Sequence, residues 1–139
     1  MNYALCIEKD ADYFLLTLPD IPEVTAVAYD EADIQKEALD AFELALGFYT
    51  DSGRAIPLPQ KNLTADLTET LQVPTTLAAK IYLYNEWLSS GKSKKELAES
   101  IHVKPSNLNR LFDFRYKSKM EAIEMALKGL GKSFEIKVA

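Results

Sequence analysis

Cysteine and histidine are almost missing: Cys6 and His102 stand alone in 139 residues. A single thiol closes no internal disulfide and builds no thiolate metal site, so Cys6 reads as a small hydrophobe on a strand. A single imidazole has no visible partner for metal binding or base catalysis, and His102 reads as a turn residue. Glycine is also sparse, at five residues. The first half shows no glycine-rich phosphate loop and no serine or cysteine with a nearby base. No apolar run approaches the roughly 20 residues that span a bilayer, and residues 1–9 lack the basic start and apolar run of a signal peptide. The expectation is a soluble, cytoplasmic protein with no membrane partner, no cofactor, no metal and no catalytic residues.

What is present is unevenly charged. The net charge of −5 conceals two opposite halves. Residues 1–73 hold four basic and fourteen acidic side chains, whereas residues 74–139 hold twelve basic and seven acidic ones. The first sum is −10 and the second +5. A sign change of this kind points to a polyanion-binding portion. The 47 % of hydrophobic residues suffices for a core in each half. Two domains are therefore expected, 1–73 and 74–139, divided at Val73-Pro74.

In the first half, residues 2–9 and 13–18 are rich in aliphatic, aromatic and β-branched side chains, with a polar gap of hairpin length between them. Pro19 and Pro22 should break the second run, because proline cannot donate to a ladder. A third strand is expected at 25–29. Asp30 suits an N-cap, with Glu31 and Asp33 where the positive helix end favours carboxylates. Ile34, Ala38, Ala41, Phe42, Ala45, Leu46 and Tyr49 then recur at helical spacing and form a core stripe. A weaker strand at 68–73 completes a β-β-β-α-β unit. Asp10, Asp12, Asp20 and Glu23 could be imagined as a metal-dependent nuclease site, but their places beside turns suit turn chemistry better.

The second half reads as helices. Leu77, Ile81, Tyr84 (or Leu83), Trp87 and Leu88 make the buried face of one that ends before Gly91. Ser93 with Glu96 has the capping-box spacing. From Lys94 to Phe112, KKELAESIHVKPSNLNRLF fits a helix-turn-helix. Leu97, Ile101, Val103, Leu108 and Leu111 supply its apolar contacts, and Ala98 is the small residue where two helices approach. His102 occupies a turn position that commonly carries glycine, in a backbone region histidine tolerates better than most residues. On the second helix, Lys104, Ser106, Asn107, Asn109 and Arg110 are left outward. Such side chains read base edges or hold phosphates, arginine on guanine and asparagine on adenine. Arg115 and Lys117, with Lys119, extend the phosphate strip. Ser118 is expected to cap a last helix ended by Gly131. Phe134, Ile136 and Val138 alternate with charged residues as an unpaired strand, which would pair with a second copy to give a homodimer or higher oligomer.

The segment LTLPDIPEVTAVAYDEADIQKEALDAFELALGFYTDSGRAIPLP resembles the N-terminal domain of HicB antitoxins. The stretch from VPTTLAAKIYLYNEWLSSGKSKKELAESI through SKMEAIEMALKGLGKSFEI resembles the helix-turn-helix C-terminal version of that family. The resemblance implies an α+β protein: a degenerate, inactive ribonuclease-H-like domain followed by an all-α DNA-binding domain with a terminal β-strand. It implies an antitoxin of a type II toxin-antitoxin system, covering a small basic HicA-type RNA-cleaving toxin and repressing its own operon on double-stranded operator DNA. The competing expectation is a stand-alone transcriptional repressor whose N-terminal domain senses a ligand.

Overall fold

In the computed structural model, residues 1–60 and 69–139 are described. They divide into two compact units, Met1–Ser52 with Ile56–Thr75, and Gly53–Ala55 with Thr76–Ala139. The overall class is mixed α and β, with an antiparallel sheet at the N-terminal end and helices after it.

The first unit is a four-stranded sheet covered on one face by a helix. Its strands are β1 (Asn2–Lys9), β2 (Phe14–Leu18), β3 (Ile21–Ala28) and β4 (Glu69–Gln72), and α1 spans Ile34–Asp51. The spatial order is β3-β2-β1-β4, with every neighbour antiparallel. Asp10 closes the first hairpin: its N–H donates to the Tyr13 carbonyl at 2.9 Å, and its carboxylate accepts from the Ala11 N–H at 2.7 Å. The expected turn chemistry of Asp10 is thus observed.

One strand start differs from the sequence reading. β3 begins at Ile21 and not at Thr25, so Pro22 lies inside a strand. The topology explains this. β3 is an edge strand, where a missing N–H need cost no ladder bond, and the β2–β3 register is irregular between Thr17 and Leu18. At the other edge β4 is described from Glu69; the expected start at Thr68 lies outside the described residues. Its outer edge is met by Gln35, whose amide donates to the Thr70 carbonyl at 2.8 Å and accepts from the Gln72 N–H at 3.4 Å. A glutamine used this way occupies backbone groups that would otherwise invite another strand.

Asp30 caps a 3-10 turn, Glu31–Asp33, that leads into α1. Ile34, Ala38, Phe42, Ala45, Leu46 and Tyr49 are buried along one stripe, as the 3.6-residue period requires. They meet Tyr3, Leu5, Leu16, Leu18, Ile21 and Val24 from the sheet, all essentially sealed from solvent. The rings of Tyr3 and Phe42 lie 5.1 Å apart. Emptying the Phe42 site to alanine would cost about 3–5 kcal/mol, enough to endanger a unit this small.

The second unit comprises α2 (Thr75–Ser90), α3 (Lys94–Ser100), α4 (Pro105–Leu111) and α5 (Met120–Gly129). Its core gathers Leu77, Ile81, Tyr84, Leu97, Leu108 and Ile123. An aromatic cluster joins α2 to the segment after α4: Trp87 and Phe112 lie 5.0 Å apart, and Tyr84 meets Phe114 edge-on at 6.2 Å. Lys92 donates to the Gly129 carbonyl at 3.1 Å, a cation placed at the negative end of α5.

One further expectation is corrected. Ser118 does not cap α5; Lys119 holds that position without a side-chain bond, and the Ser118 hydroxyl is buried with no partner among the described residues. The terminal β-strand, expected through pairing with a second copy, is not formed within the single chain. Residues 132–139 are irregular, with Ile136 80 % and Val138 90 % exposed, because an alternating segment needs an edge to pair with and gains no ladder from helices.

Candidate functional site

The arrangement around α4 starts with a capping decision. Ser93 accepts from the Glu96 N–H at 3.0 Å, and the Glu96 carboxylate accepts from the Ser93 N–H at 3.3 Å. This reciprocal box starts α3 where the sequence placed it. Its far end is closed at His102, the one non-glycine residue of positive φ (57°) among those described. The His102 N–H bonds to the Glu99 carbonyl at 3.3 Å and the Val103 N–H to the Ala98 carbonyl at 3.0 Å. These two bonds form a Schellman motif, a helix end that normally selects glycine at the position His102 fills. The chain leaves extended at Lys104 and re-enters a helix with Pro105 at its start, the place proline suits.

Leu97 and Ala98 on α3 are buried, as are Leu108 and Leu111 on α4. Ile101 and Val103 are half-buried. A close approach that the sequence did not reveal lies between α3 and α5. A Cβ on Gly129 would collide with Ile101 Cγ2, and would stand 3.1 Å from Leu97 Cδ1 and 3.3 Å from Ser100 Oγ.

All eight residues singled out from sequence, Lys104, Ser106, Asn107, Asn109, Arg110, Arg115, Lys117 and Lys119, are exposed. The structure brings four of them together. Asn107, Arg110, Lys117 and Lys119 line a cleft of about 390 Å³ whose apolar side includes Val103, Leu111 and Met125. Lys104, Ser106, Asn109 and Arg115 lie outside that cleft. The Arg110 guanidinium sits over the Tyr116 ring, 5.3 Å from its centre, which orients the fork without consuming its donors.

The feature sequence reasoning missed is Lys80. It is 1 % exposed, yet its ammonium donates to the main-chain carbonyls of Arg110 at 3.2 Å, Asp113 at 2.9 Å and Tyr116. An ammonium has three protons, and here each has an acceptor. Burial pushes the Lys80 pKa down, while the Asp113 carboxylate pushes it partly back. One cation thereby ties α2 to the end of α4 and to the segment carrying Arg115 and Lys117. The sequence signal was available: a lysine one turn after Leu77, inside the apolar stripe of α2.

Three of the four carboxylates imagined as a metal site, Asp10, Asp20 and Glu23, hold hydrogen bonds within the first unit. Besides Asp10, Asp20 accepts from the Gln60 N–H at 3.4 Å and Glu23 accepts from the Tyr49 hydroxyl at 2.5 Å. Among the described residues no three histidine, cysteine or acidic side chains gather in a way that could hold a metal ion. No described helix is long and apolar enough to cross a membrane.

Comparison with known families decides the kinship. Residues 2–82 match the family described as "HicB_like antitoxin of bacterial toxin-antitoxin system". The chain belongs to the HicB-like antitoxin family. Among curated relatives, "Antitoxin HicB" of Pseudomonas fluorescens (strain Pf0-1) is 36 % identical over 99 % of this chain and 93 % of its own length. "Antitoxin HicB 2" of Photorhabdus laumondii is 33 % identical over 98 % and 95 %, and "Antitoxin HicB" of Escherichia coli K12 is 31 % identical over 88 % of each. These matches support an antitoxin role within a toxin-antitoxin system, and with it a toxin partner. The family match covers the described first unit except Met1 and ends inside α2. The similarity to whole relatives extends further: the first two matches take in 99 % and 98 % of the chain.

Proposed function

We propose that this HicB-family member has two binding activities, one in each unit. The acidic first unit inhibits a HicA-type RNA-cleaving toxin. The second unit binds operator DNA through α4 and represses the operon that encodes both proteins. The observation that carries the DNA reading is the exposed set Lys104, Ser106, Asn107, Asn109 and Arg110 on a short helix whose start, end and following segment are each tied down. Arg110 and the two asparagines have the donors and acceptors that distinguish base pairs in a major groove, while Lys104, Arg115 and Lys117 suit phosphates. Arg110, steadied over the Tyr116 ring, loses less freedom on binding than an unsupported arginine would.

The toxin reading rests on charge. A protein that grips RNA presents a cationic surface, and a domain of −10 draws it in and takes the place of the polyanion. In this reading the sheet-and-helix unit is a degenerate ribonuclease-H-like domain that serves as a binding scaffold and not as a catalyst. The apolar alternation of residues 132–139 pairs with the same segment of a second copy, giving the two-fold symmetry a palindromic operator matches.

The test is co-expression with the product of the adjacent toxin gene. Co-purification, loss of RNA cleavage, and a mobility shift of the upstream DNA that weakens steeply with salt are the expected results. Absence of both toxin capture and DNA binding by the purified complex overturns the reading.

A further inference from the structure

The outer face of α1 carries a pattern that the fold does not need. Leu44 is 57 % and Phe48 54 % exposed, and both lie outside the buried stripe of Phe42, Ala45 and Tyr49. Two large apolar side chains one turn apart form a compact apolar patch, and phenylalanine is among the residues enriched where proteins meet. Asp40 precedes them by one turn and Asp51 follows, so exposed carboxylates bracket the pair along the helix.

Asp51 has a second property. It stands in the last turn of α1, and that turn contains no basic residue. A carboxylate there opposes the helix macrodipole. Nothing within α1 offsets that small cost, whereas a cationic partner surface would.

We propose that the Leu44–Phe48 face of α1 is the surface on which the cationic toxin docks, with the two apolar side chains as anchors and Asp40 and Asp51 as the charged rim. This rests on the antitoxin reading above and names the surface that reading leaves open. Charge selects the occupant. A second copy of the same face would set carboxylate against carboxylate, and nucleic acid or an anionic membrane would be repelled. A basic protein surface satisfies both the rim and the apolar centre. The uncovered face of the sheet is the rival surface. It presents the aligned rows Cys6-Thr17-Thr25 and Glu8-Leu15-Val27, of which Cys6, Leu15 and Thr17 are already half-buried, so it offers less apolar area per residue.

The experiment uses the full chain and the toxin encoded beside it, with a toxin variant silenced in its active site as the titrant. The double variant Leu44→Glu/Phe48→Glu is expected to lose toxin affinity by at least roughly thirty-fold, with melting temperature and operator DNA binding retained. Asp51→Lys is expected to slow toxin association while its melting temperature stays level or rises, because the cation now suits the helix end. Thr25→Lys/Val27→Glu on the rival sheet face is expected to bind as the parent does. Unchanged affinity in the Leu44/Phe48 variant, beside a parent chain that binds, overturns the docking surface and leaves the antitoxin reading standing. A parent chain that binds no toxin overturns both. Should the double variant melt early, Asp51→Lys decides: association as fast as the parent's rejects the proposal.

Discussion

The Lys80 ammonium lies 2.9 Å from the main-chain oxygen of Asp113, three residues beyond Arg110 and two before Arg115. A fully buried lysine on one helix therefore sets the path of the segment that follows another. Replacing it with methionine keeps the apolar stem but leaves the Arg110, Asp113 and Tyr116 carbonyls without this donor. We expect Lys80→Met to cost about 3 kcal/mol of stability, the range for buried bonds to a charged donor. We also expect it to lower DNA affinity more than toxin affinity. Chemical denaturation paired with a mobility-shift titration checks both.

His102 holds a positive φ that an L-residue adopts at a cost, while its two backbone bonds complete the end of α3. His102→Gly should relieve that strain and raise stability by about 0.5–1 kcal/mol, the gain reduced by the greater freedom of glycine when unfolded. A calorimetric melt showing destabilisation would mean that the imidazole makes a contribution its exposed position does not suggest.

Arg110 is the outward residue whose fork is steadied by Tyr116. Arg110→Ala should weaken operator binding by roughly 1–3 kcal/mol and leave toxin neutralisation intact. Arg110→Lys should not restore it, since a single ammonium cannot engage a guanine edge at two points.

Gly129 marks the closest approach of α5 to α3. Gly129→Ala has the better helix propensity, yet its methyl would have to displace Ile101 and crowd Leu97. We expect a net loss of about 1–3 kcal/mol. A melt showing higher stability than the parent would mean that α3 and α5 separate more easily than their packing implies.

Tyr84 donates to the Arg54 carbonyl at 2.9 Å, and burial pushes its pKa above the ordinary value of 10.0, with Arg54 opposing. A raised folded-state pKa means that its contribution is intact below about pH 10 and is lost as pH climbs through the folded value. The stability advantage of the parent over Tyr84→Phe should therefore shrink on going from pH 9 to pH 11. Lys80, shifted the other way, is common to both proteins and cancels in the difference.

Short-range chemistry was readable from the chain. Ser93 and Glu96 announced the start of α3, His102 its turn, and Ile34 to Tyr49 the buried stripe of α1, because each depends on neighbours within a few residues. The errors had the opposite origin. The break of the second run before Pro19 held, but the third strand was started at Thr25 and not at Ile21, because the membership of Pro22 in an edge strand depends on β2 and on the sheet order. Ser118 was read as a cap because the serine beside a helix start is ordinarily the cap, and here Lys119 took that place. Trp87 and Leu88 were counted as core but are only half-buried.

By itself, the order of residues determined the helix and strand periods, the polarity of each half and the outward set on α4, since local spacing and composition carry those directly. Only the tertiary structure decided that Lys80 would be buried under three carbonyls, that Gly129 would be the contact point of two helices, and that Leu44 and Phe48 would be left bare on α1. These outcomes depend on which distant segments fill the space around a side chain, and that is set by packing between elements far apart in sequence.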